Sequence, residues 1–349
     1  MHRYSPAAKA IDKQEPSYHY PPIRRLSVGQ EALVVLSNVF SAVAMVCCIA
    51  SLGFFLKRRN WVHEATAQAL PKFMTNIVVP PFLLRNVTQT FSHDQLDVLF
   101  AGSLLPILSI LSCFGVALAG TYIFRISAGR RGVFKAAFAS SNSINMGLPI
   151  NIALFGEGAV QYVMLYIFAN SIFFWSLGNY CIAHDGDGRD VKLFSLKTVK
   201  QIFFPPFSGF LIGVLLVVLD IPLPAFLDKT FKYVGDMTVG LGIIYLGILL
   251  SDVKLKDFTP ERDTVLVMIG RFIISPLAIV VLAYVIPVPN MMLKVFIVHS
   301  SLPVMLNVAV LTAYYRGDAK YAAVLVSAST VMTIVTVPLV ALLIAFCLP

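Results

Sequence analysis

The sequence predicts an all-α polytopic membrane protein of ten transmembrane helices, arranged as two inverted five-helix repeats. Three observations carry this expectation. First, the 349 residues are 58% apolar and only 13% charged, with a mean hydropathy of +0.80; soluble domains carry about 25% charged and 45–50% apolar residues, so most of this chain belongs in lipid. Second, the apolar residues gather into ten stretches long enough for a bilayer core of about 30 Å, which takes about 20 residues per helix. Third, the longest hydrophilic connection, His184 to Lys200, falls between the fifth and sixth stretches. An odd number of spans per half forces the halves into the membrane upside down relative to each other, a recurring plan among secondary transporters. Soluble-enzyme, disordered and collagen-like readings are excluded by the same composition.

In chain order the spans are Glu31–Leu56, Ala69–Thr90, Leu96–Phe124, Val133–Phe155 and Ala159–Ala183, then Val199–Leu219, Ala225–Leu250, Thr264–Ile286, Met291–Tyr315 and Tyr321–Leu348. The fifth and tenth contain no charged residue, whereas the seventh opens on Asp228, Lys229, Lys232 and Asp236. This gives a tail over 1–30, a first repeat over 31–183, a linker over 184–198 and a second repeat over 199–349. The tail holds Pro6, Pro16, Pro21 and Pro22 with almost no apolar periodicity, and is expected to be disordered. No cleavable signal is read there, because the first apolar run is too long for a signal h-region.

Lys and Arg collect in the odd-to-even connections: Lys57–Arg59, then Arg125, Arg130 and Arg131, and so on to Arg316 and Lys320. The opposite connections, around 92–95, 156–158, 221–224 and 286–290, contain neither. The basic side is therefore expected in the cytoplasm, with both termini outside and the protein in the plasma (inner) membrane. Arg3, Lys9, Lys13, Arg24 and Arg25 of the tail run against this orientation, and the five consistent loops outweigh them. The net charge of +9 thus reports topology rather than a nucleic-acid partner. Cys47, Cys48, Cys113, Cys181 and Cys347 lie in or at the ends of apolar stretches without metal-ligand spacing, and read as small apolar fillers.

The fourth and ninth spans share an irregularity. The fourth reads SSNSINMGLPINIALFGEG around Pro149, the ninth VHSSLPVMLNVAVLTAYYRGD around Pro303, and each is followed by a Gly-acid pair. An interior proline removes a backbone hydrogen bond, and Gly147 with the neighbouring Ser and Asn residues favours non-helical backbone. Unwound backbone is tolerated at membrane depth only where protein covers it or it lines a water-filled cavity. Two matched breaks therefore predict a binding site over Asn142–Asn151 and Ser300–Asn307. Half-helix N-termini there favour an anion, with Asn142, Asn145, Asn151 and Asn307 as neutral hydrogen-bonding side chains. The other membrane prolines, such as Pro80-Pro81, Pro106, Pro276 and Pro338, read as ordinary kinks.

At these residues the sequence resembles the auxin efflux carrier family, closest to the bacterial malate or malonate permease-type members. The fourth-span pattern Asn-x-x-x-x-Gly-Leu-Pro is matched by Asn142, Gly147, Leu148 and Pro149. The ninth-span pattern is matched by Pro303, Asn307, Tyr315, Gly317-Asp318 and Ser327–Thr330. Asn76 to Pro80, Pro205-Pro206 and Arg271 with Pro276 are weaker matches. The resemblance implies a fold similar to bile-acid symporters and sodium-proton antiporters, with broken helices four and nine crossing. It implies a scaffold of helices 1, 2, 6 and 7, a transport domain of helices 3–5 and 8–10, an elevator mechanism and a homodimer. The short central connection departs from the plant carriers, and His299-Ser300-Ser301 departs from the small apolar residues expected before the ninth break. Gly235, Gly240, Gly242 and Gly247 would suit close helix packing.

Ionisable residues within spans are functional candidates unless they snorkel to the interface. Arg271 lies about seven residues into its span, roughly 10 Å deep, so both snorkelling and substrate attraction are open. Lys72 is shallow and reads as structural. His299, beside the ninth break, either adds charge and couples protons or is a neutral hydrogen-bonded histidine. The expected function is secondary transport of a small organic anion, a carboxylate such as malonate, malate or an auxin-like acid. The site residues are Asn142, Asn145, Gly147, Pro149, Asn151, His299, Ser300, Ser301, Pro303 and Asn307. A receptor that retains the site and a channel are the alternatives. No enzyme motif, metal site or cofactor is indicated, and Na⁺ or H⁺ as coupling ion stays open.

Overall fold

The computed structural model describes residues 28–90, 96–188, 191–193, 205–252 and 261–348. Most of the expected tail and much of the central linker lie outside these; Val28 to Gln30, counted with the tail, begin the first helix. The described residues form helices joined by turns, with one isolated antiparallel bridge between Ser141 and Val304. Five of the helices are long and apolar enough to cross a membrane: Gly102–Ile123, Glu157–Asp185, Ala225–Ser251, Arg262–Ala283 and Ala319–Cys347. Apolar side chains such as Leu277, Val281, Leu339 and Leu343 face outward, and Trp61, Tyr122, Tyr284 and Tyr314 are exposed at helix ends, the position aromatic residues favour at headgroup level. The chain is a multi-pass membrane protein.

The helices are α1 (Val28–Arg58), α2 (Glu64–Phe73), α3 (Val79–Thr90), α4 (Leu96–Ile123), α5 (Arg131–Ala139), α6 (Leu148–Phe155), α7 (Val160–Phe173) and α8 (Asn179–Asp185). There follow α9 (Pro205–Val218), α10 (Ala225–Gly235), α11 (Met237–Asp252), α12 (Arg262–Ile269), α13 (Ser275–Ala283), α14 (Asn290–Ser300), α15 (Asn307–Tyr314) and α16 (Ala319–Cys347). The charged opening of α10 is explained by pairing, since Asp228 meets Arg85 of α3 at 2.9 Å and Gln89 at 3.2 Å.

Of the two prolines that the sequence places at breaks, Pro303 lies in one and Pro149 does not. Wider π-helical turns at Met74–Val78, Ser143–Gly147 and Gly270–Ile274 each end two residues before a proline, at Pro80, Pro149 and Pro276. A π turn shifts the hydrogen-bond register, so the missing proline N–H falls where no donor is required and the helical winding continues through it. Pro149 therefore sits in the first turn of α6, and the fourth span is interrupted upstream at Ser140–Asn142. Pro303, by contrast, lies inside the interruption between α14 and α15.

Two groups of helices emerge from the packing. In one, α1 lies along α11, and α3 lies along α9 and α10. Backbones touch there: a side-chain carbon at Gly247 would run into the Ala50 carbonyl, one at Gly209 into Pro80, and one at Gly235 would lie 2.9 Å from Phe82. In the other group, α4 packs on α5, α7 and α13, α5 on α8, α14 on α13 and α15 on α16. Gly240, expected among the packing glycines, has open space around it. Where the groups meet, α6 rests on α1 and α11, with Gly242 against Pro149.

Candidate functional site

The two interrupted helices cross where Ser141 and Val304 pair. Helix α5 ends at Ala139 and α14 at Ser300, so the next few backbone groups have no helical partners. Each is taken up elsewhere. The Asn142 N–H donates to the Pro303 carbonyl at 2.9 Å, joining one break to the other. Asn170 of α7 holds both groups of Ser141: its Oδ1 accepts the Ser141 N–H and its Nδ2 donates to the Ser141 carbonyl, each at 3.0 Å. Ser329 of α16 does the corresponding work in the second half, its Oγ accepting the Val304 N–H at 3.0 Å. The two uncharged spans thus each supply one polar side chain that satisfies the neighbouring break.

Arg271 is fully buried at this crossing. Its Nη2 donates to the carbonyls of Ser300 at 2.8 Å and Leu302 at 2.9 Å, and its Nε to Leu302 at 3.2 Å. Its Nη1 lies 3.4 Å from the Phe138 and Ala139 carbonyls and from Ser275 Oγ. No described carboxylate reaches it. The guanidinium faces the carboxyl ends of both half-helices, so the snorkelling read from its depth is overturned, since no headgroup is within reach of a side chain committed to four carbonyls.

On the other side of the crossing the amino ends of two half-helices open into a cavity of about 680 Å³. One half-helix runs over Ser143–Phe155, the other is α15. The backbone N–H groups of Ile144, Asn145, Leu306 and Asn307 find no acceptor among the described residues, nor do the side-chain amides of Asn142, Asn145 and Asn307. All these residues line the cavity, as do Asn170, Trp175 and Tyr245. Across from them, α2 and the π turn after it contribute Gln68, Lys72, Thr75 and Asn76. Glu64 lines the rim with its carboxylate engaged by Lys57 at 2.7 Å, while Lys72 has no described carboxylate beside it.

A family model described as membrane transport protein matches residues 38–341. The chain belongs to this family, that of the auxin efflux carriers. Family relatives include uncharacterized transporters of Methanocaldococcus jannaschii and Methanothermobacter thermautotrophicus. Each is 25% identical over 304 residues, covering 85% of this chain and 96% or 95% of the relative. An uncharacterized transporter of Escherichia coli K12 is 22% identical over 310 residues, covering 84% of this chain and 94% of the relative. The transport family spans both interrupted helices and the cavity between them.

Within this transport protein, the residues singled out from sequence separate into two sets. Asn142, Asn145 and Asn307 line the cavity. Asn151 and His299 face each other in the packed interior behind it, Asn151 Nδ2 lying 2.8 Å from His299 Nδ1 and also donating to the Gly147 carbonyl at 2.8 Å. Gly147 is required there, because a side-chain carbon would lie 2.5 Å from His299 Nε2. Ser300 and Ser301 both turn their hydroxyls back onto the Ile297 carbonyl at 2.8 Å. Pro149 packs on Gly242, and Pro303 accepts from Asn142. Asn170, Trp175, Tyr245 and Gln68 line the cavity without any motif that marks them in the sequence, and Lys72 lines it although its depth suggests a structural role. Asn170 carries a signal legible in hindsight: an amide inside an uncharged span is costly to bury without partners.

Proposed function

We propose that this protein is a secondary transporter for a small organic anion with one carboxylate at its binding end. The observation that carries the reading is the balance of partial charges at the crossing. Each half-helix presents about +0.5 of a charge at its amino end. Two such ends, with unpaired N–H groups, face one cavity and together match a single negative charge. Asn142, Asn145 and Asn307 are placed to orient the carboxylate without adding net charge, and Lys72 adds attraction at the mouth. Trp175 and Tyr245 offer apolar wall for the rest of the molecule.

The transport step is alternating access in a ten-helix, inverted-repeat protein of the plasma membrane. The scaffold is α1–α3 and α9–α11, which correspond to spans 1, 2, 6 and 7, and the remaining helices carry the site past it as an elevator. Supporting this division, every described ion pair lies within one body. Lys57–Glu64 and Arg85–Asp228 belong to the scaffold, whereas Arg130–Glu261 and Arg130–Asp318 belong to the moving body. The positive-inside distribution supports an orientation with the Arg130 cluster on the cytoplasmic side.

A thermal-shift screen of the purified protein against malonate, malate, other small carboxylates and indole acids tests the reading. A ligand at about 100 times its Kd adds about 2.7 kcal/mol to stability. The expected result is stabilisation by a carboxylate that is lost in Asn142→Ala and in Asn307→Ala. Stabilisation confined to neutral or cationic compounds would overturn the anion assignment.

A further inference from the structure

Carriers with interrupted helices use the freed backbone carbonyls and the carboxyl ends of half-helices to hold a coupling cation. In this protein those groups are already occupied. The Phe138 carbonyl would, in an unbroken helix, accept from Asn142, but that N–H goes to Pro303. The Ser300 carbonyl would accept from Val304, whose N–H goes to Ser329. The oxygens of Phe138, Ala139, Ser300 and Leu302 converge instead on one guanidinium.

We infer that Arg271 is a tethered cation standing in the place of an alkali-metal coupling ion, and that binding and transport in this protein are therefore independent of Na⁺. The inference rests on the crossover reading proposed above. Two half-helix carboxyl ends carry about −0.5 of a charge each, which the single charge of Arg271 balances. A guanidinium is the one side chain able to do this, since its planar fork presents five donors and keeps its proton. Burial of a charge without a carboxylate partner is otherwise strongly unfavourable, so its persistence here means that the carbonyl cage supplies the compensation. A free Na⁺ entering the same cage would meet a fixed positive charge within about 3 Å and be expelled. Arg271 is thus a positioning residue: it ties the two broken helices together at their carboxyl ends and leaves the amino ends free for substrate.

The test is a thermal-stability titration of the purified protein without any carboxylate, in NaCl, KCl and choline chloride at matched ionic strength. The wild type is expected to give the same midpoint in all three salts to within about 1 °C. A saturable gain specific to Na⁺ would overturn the inference. Arg271→Ala is expected to unfold at lower temperature and to recover several degrees in millimolar guanidinium chloride or in a small alkali cation, with no recovery in choline. Indifference of Arg271→Ala to every cation also overturns it, because the carbonyls would then not form a cation site. If Arg271→Ala does not purify, the wild-type titration decides alone. Since no substrate is present in any arm, failure here leaves the carboxylate assignment standing, and failure of the carboxylate screen leaves this result standing.

Discussion

Asn170 shows how much one side chain carries at the crossing. It satisfies both the N–H and the C=O of Ser141, and both atoms are buried. An orphaned buried polar group costs about 1–3 kcal/mol, so Asn170→Leu is expected to lose about 2–5 kcal/mol in denaturant or thermal unfolding in detergent. A loss below about 0.5 kcal/mol would mean that the break closes without it. His299 is placed differently: fully buried and bonded to Asn151, it has no access to the cavity. His299→Gln keeps an amide in reach of Asn151, and the pH profile of transport is expected to stay unchanged; a displaced profile would assign the proton-coupling role to this histidine. The residue scale is also where the sequence was least legible. Asn142, Asn145 and Asn307 stand out because they flank proline in matched spans. The role of Arg271 was invisible because its partners are backbone carbonyls from helices about 30 and 130 residues away in sequence. Hydropathy gives its depth and no information about what surrounds it.

At the scale of elements, helix positions follow from the length of the apolar runs and the breaks do not. Proline marks the ninth break directly at Pro303, yet in the fourth span the interruption lies at Ser140–Asn142, upstream of Pro149. The difference is physical: the π turn at Ser143–Gly147 shifts the hydrogen-bond register just before Pro149, so the winding from Ser143 to Phe155 passes through the missing proline N–H. Only the tertiary alternative, Asn170 and Pro303 supplying the bonds that the helix gives up, decides where α5 stops. The start of α16 is set by a local rule, with Asp318 accepting the Tyr321 N–H at 3.0 Å as an N-cap. Partial burial pushes the Asp318 carboxyl up, but the Tyr321 N–H and the Arg130 guanidinium outweigh it and hold it below the ordinary value. A carboxyl lowered in the folded state contributes stability that is present above its unfolded pKa of about 3.9 and lost as pH falls through the folded value. The Asp318 side chain is 32% exposed, so solvent screening limits the effect. Asp318→Ala is expected to lose about 1 kcal/mol at pH 7 and to narrow that gap with the wild type as pH falls below the ordinary carboxylate range, as followed by thermal unfolding across pH. A gap that stayed constant down to pH 2 would place the loss in packing rather than in the charged cap.

At the scale of the whole molecule, the two groups of helices proposed as scaffold and moving body meet through α6 on α1 and α11, α1 on α16, the Asn86 side chain donating to the Glu157 carbonyl at 3.3 Å and Phe168 stacked on Phe207 with ring centroids 4.4 Å apart. Within the proposed scaffold, backbone meets backbone at Gly247 and Gly209, which packs α1 closely on α11 and α9 on α3. Across the boundary the contact is of another kind: Gly242 of α11 lies against the ring of Pro149, where a side-chain carbon would sit 2.7 Å from Pro149 Cγ. At this point a glycine facing a rigid apolar ring offers no hydrogen bond or interlocking knob, so sliding under the proposed elevator would have to release, among the described polar and aromatic contacts, the Asn86–Glu157 bond and the Phe168–Phe207 stack. The reading of an elevator therefore makes a prediction that a fixed channel or receptor does not share. Gly242→Leu places a wedge against Pro149 at a position that does not line the cavity, so carboxylate binding by thermal shift is expected to persist within about twofold. Uptake into proteoliposomes is expected to fall at least tenfold, because about 1.4 kcal/mol of added barrier is enough for that and overpacking a tight contact costs typically 1–3 kcal/mol. Gly240→Leu is the control, since that position faces open space two residues away on the same helix. Equal loss of binding and transport in Gly242→Leu would show that the wedge distorts the site itself, and full retention of transport would move the sliding boundary elsewhere in the fold.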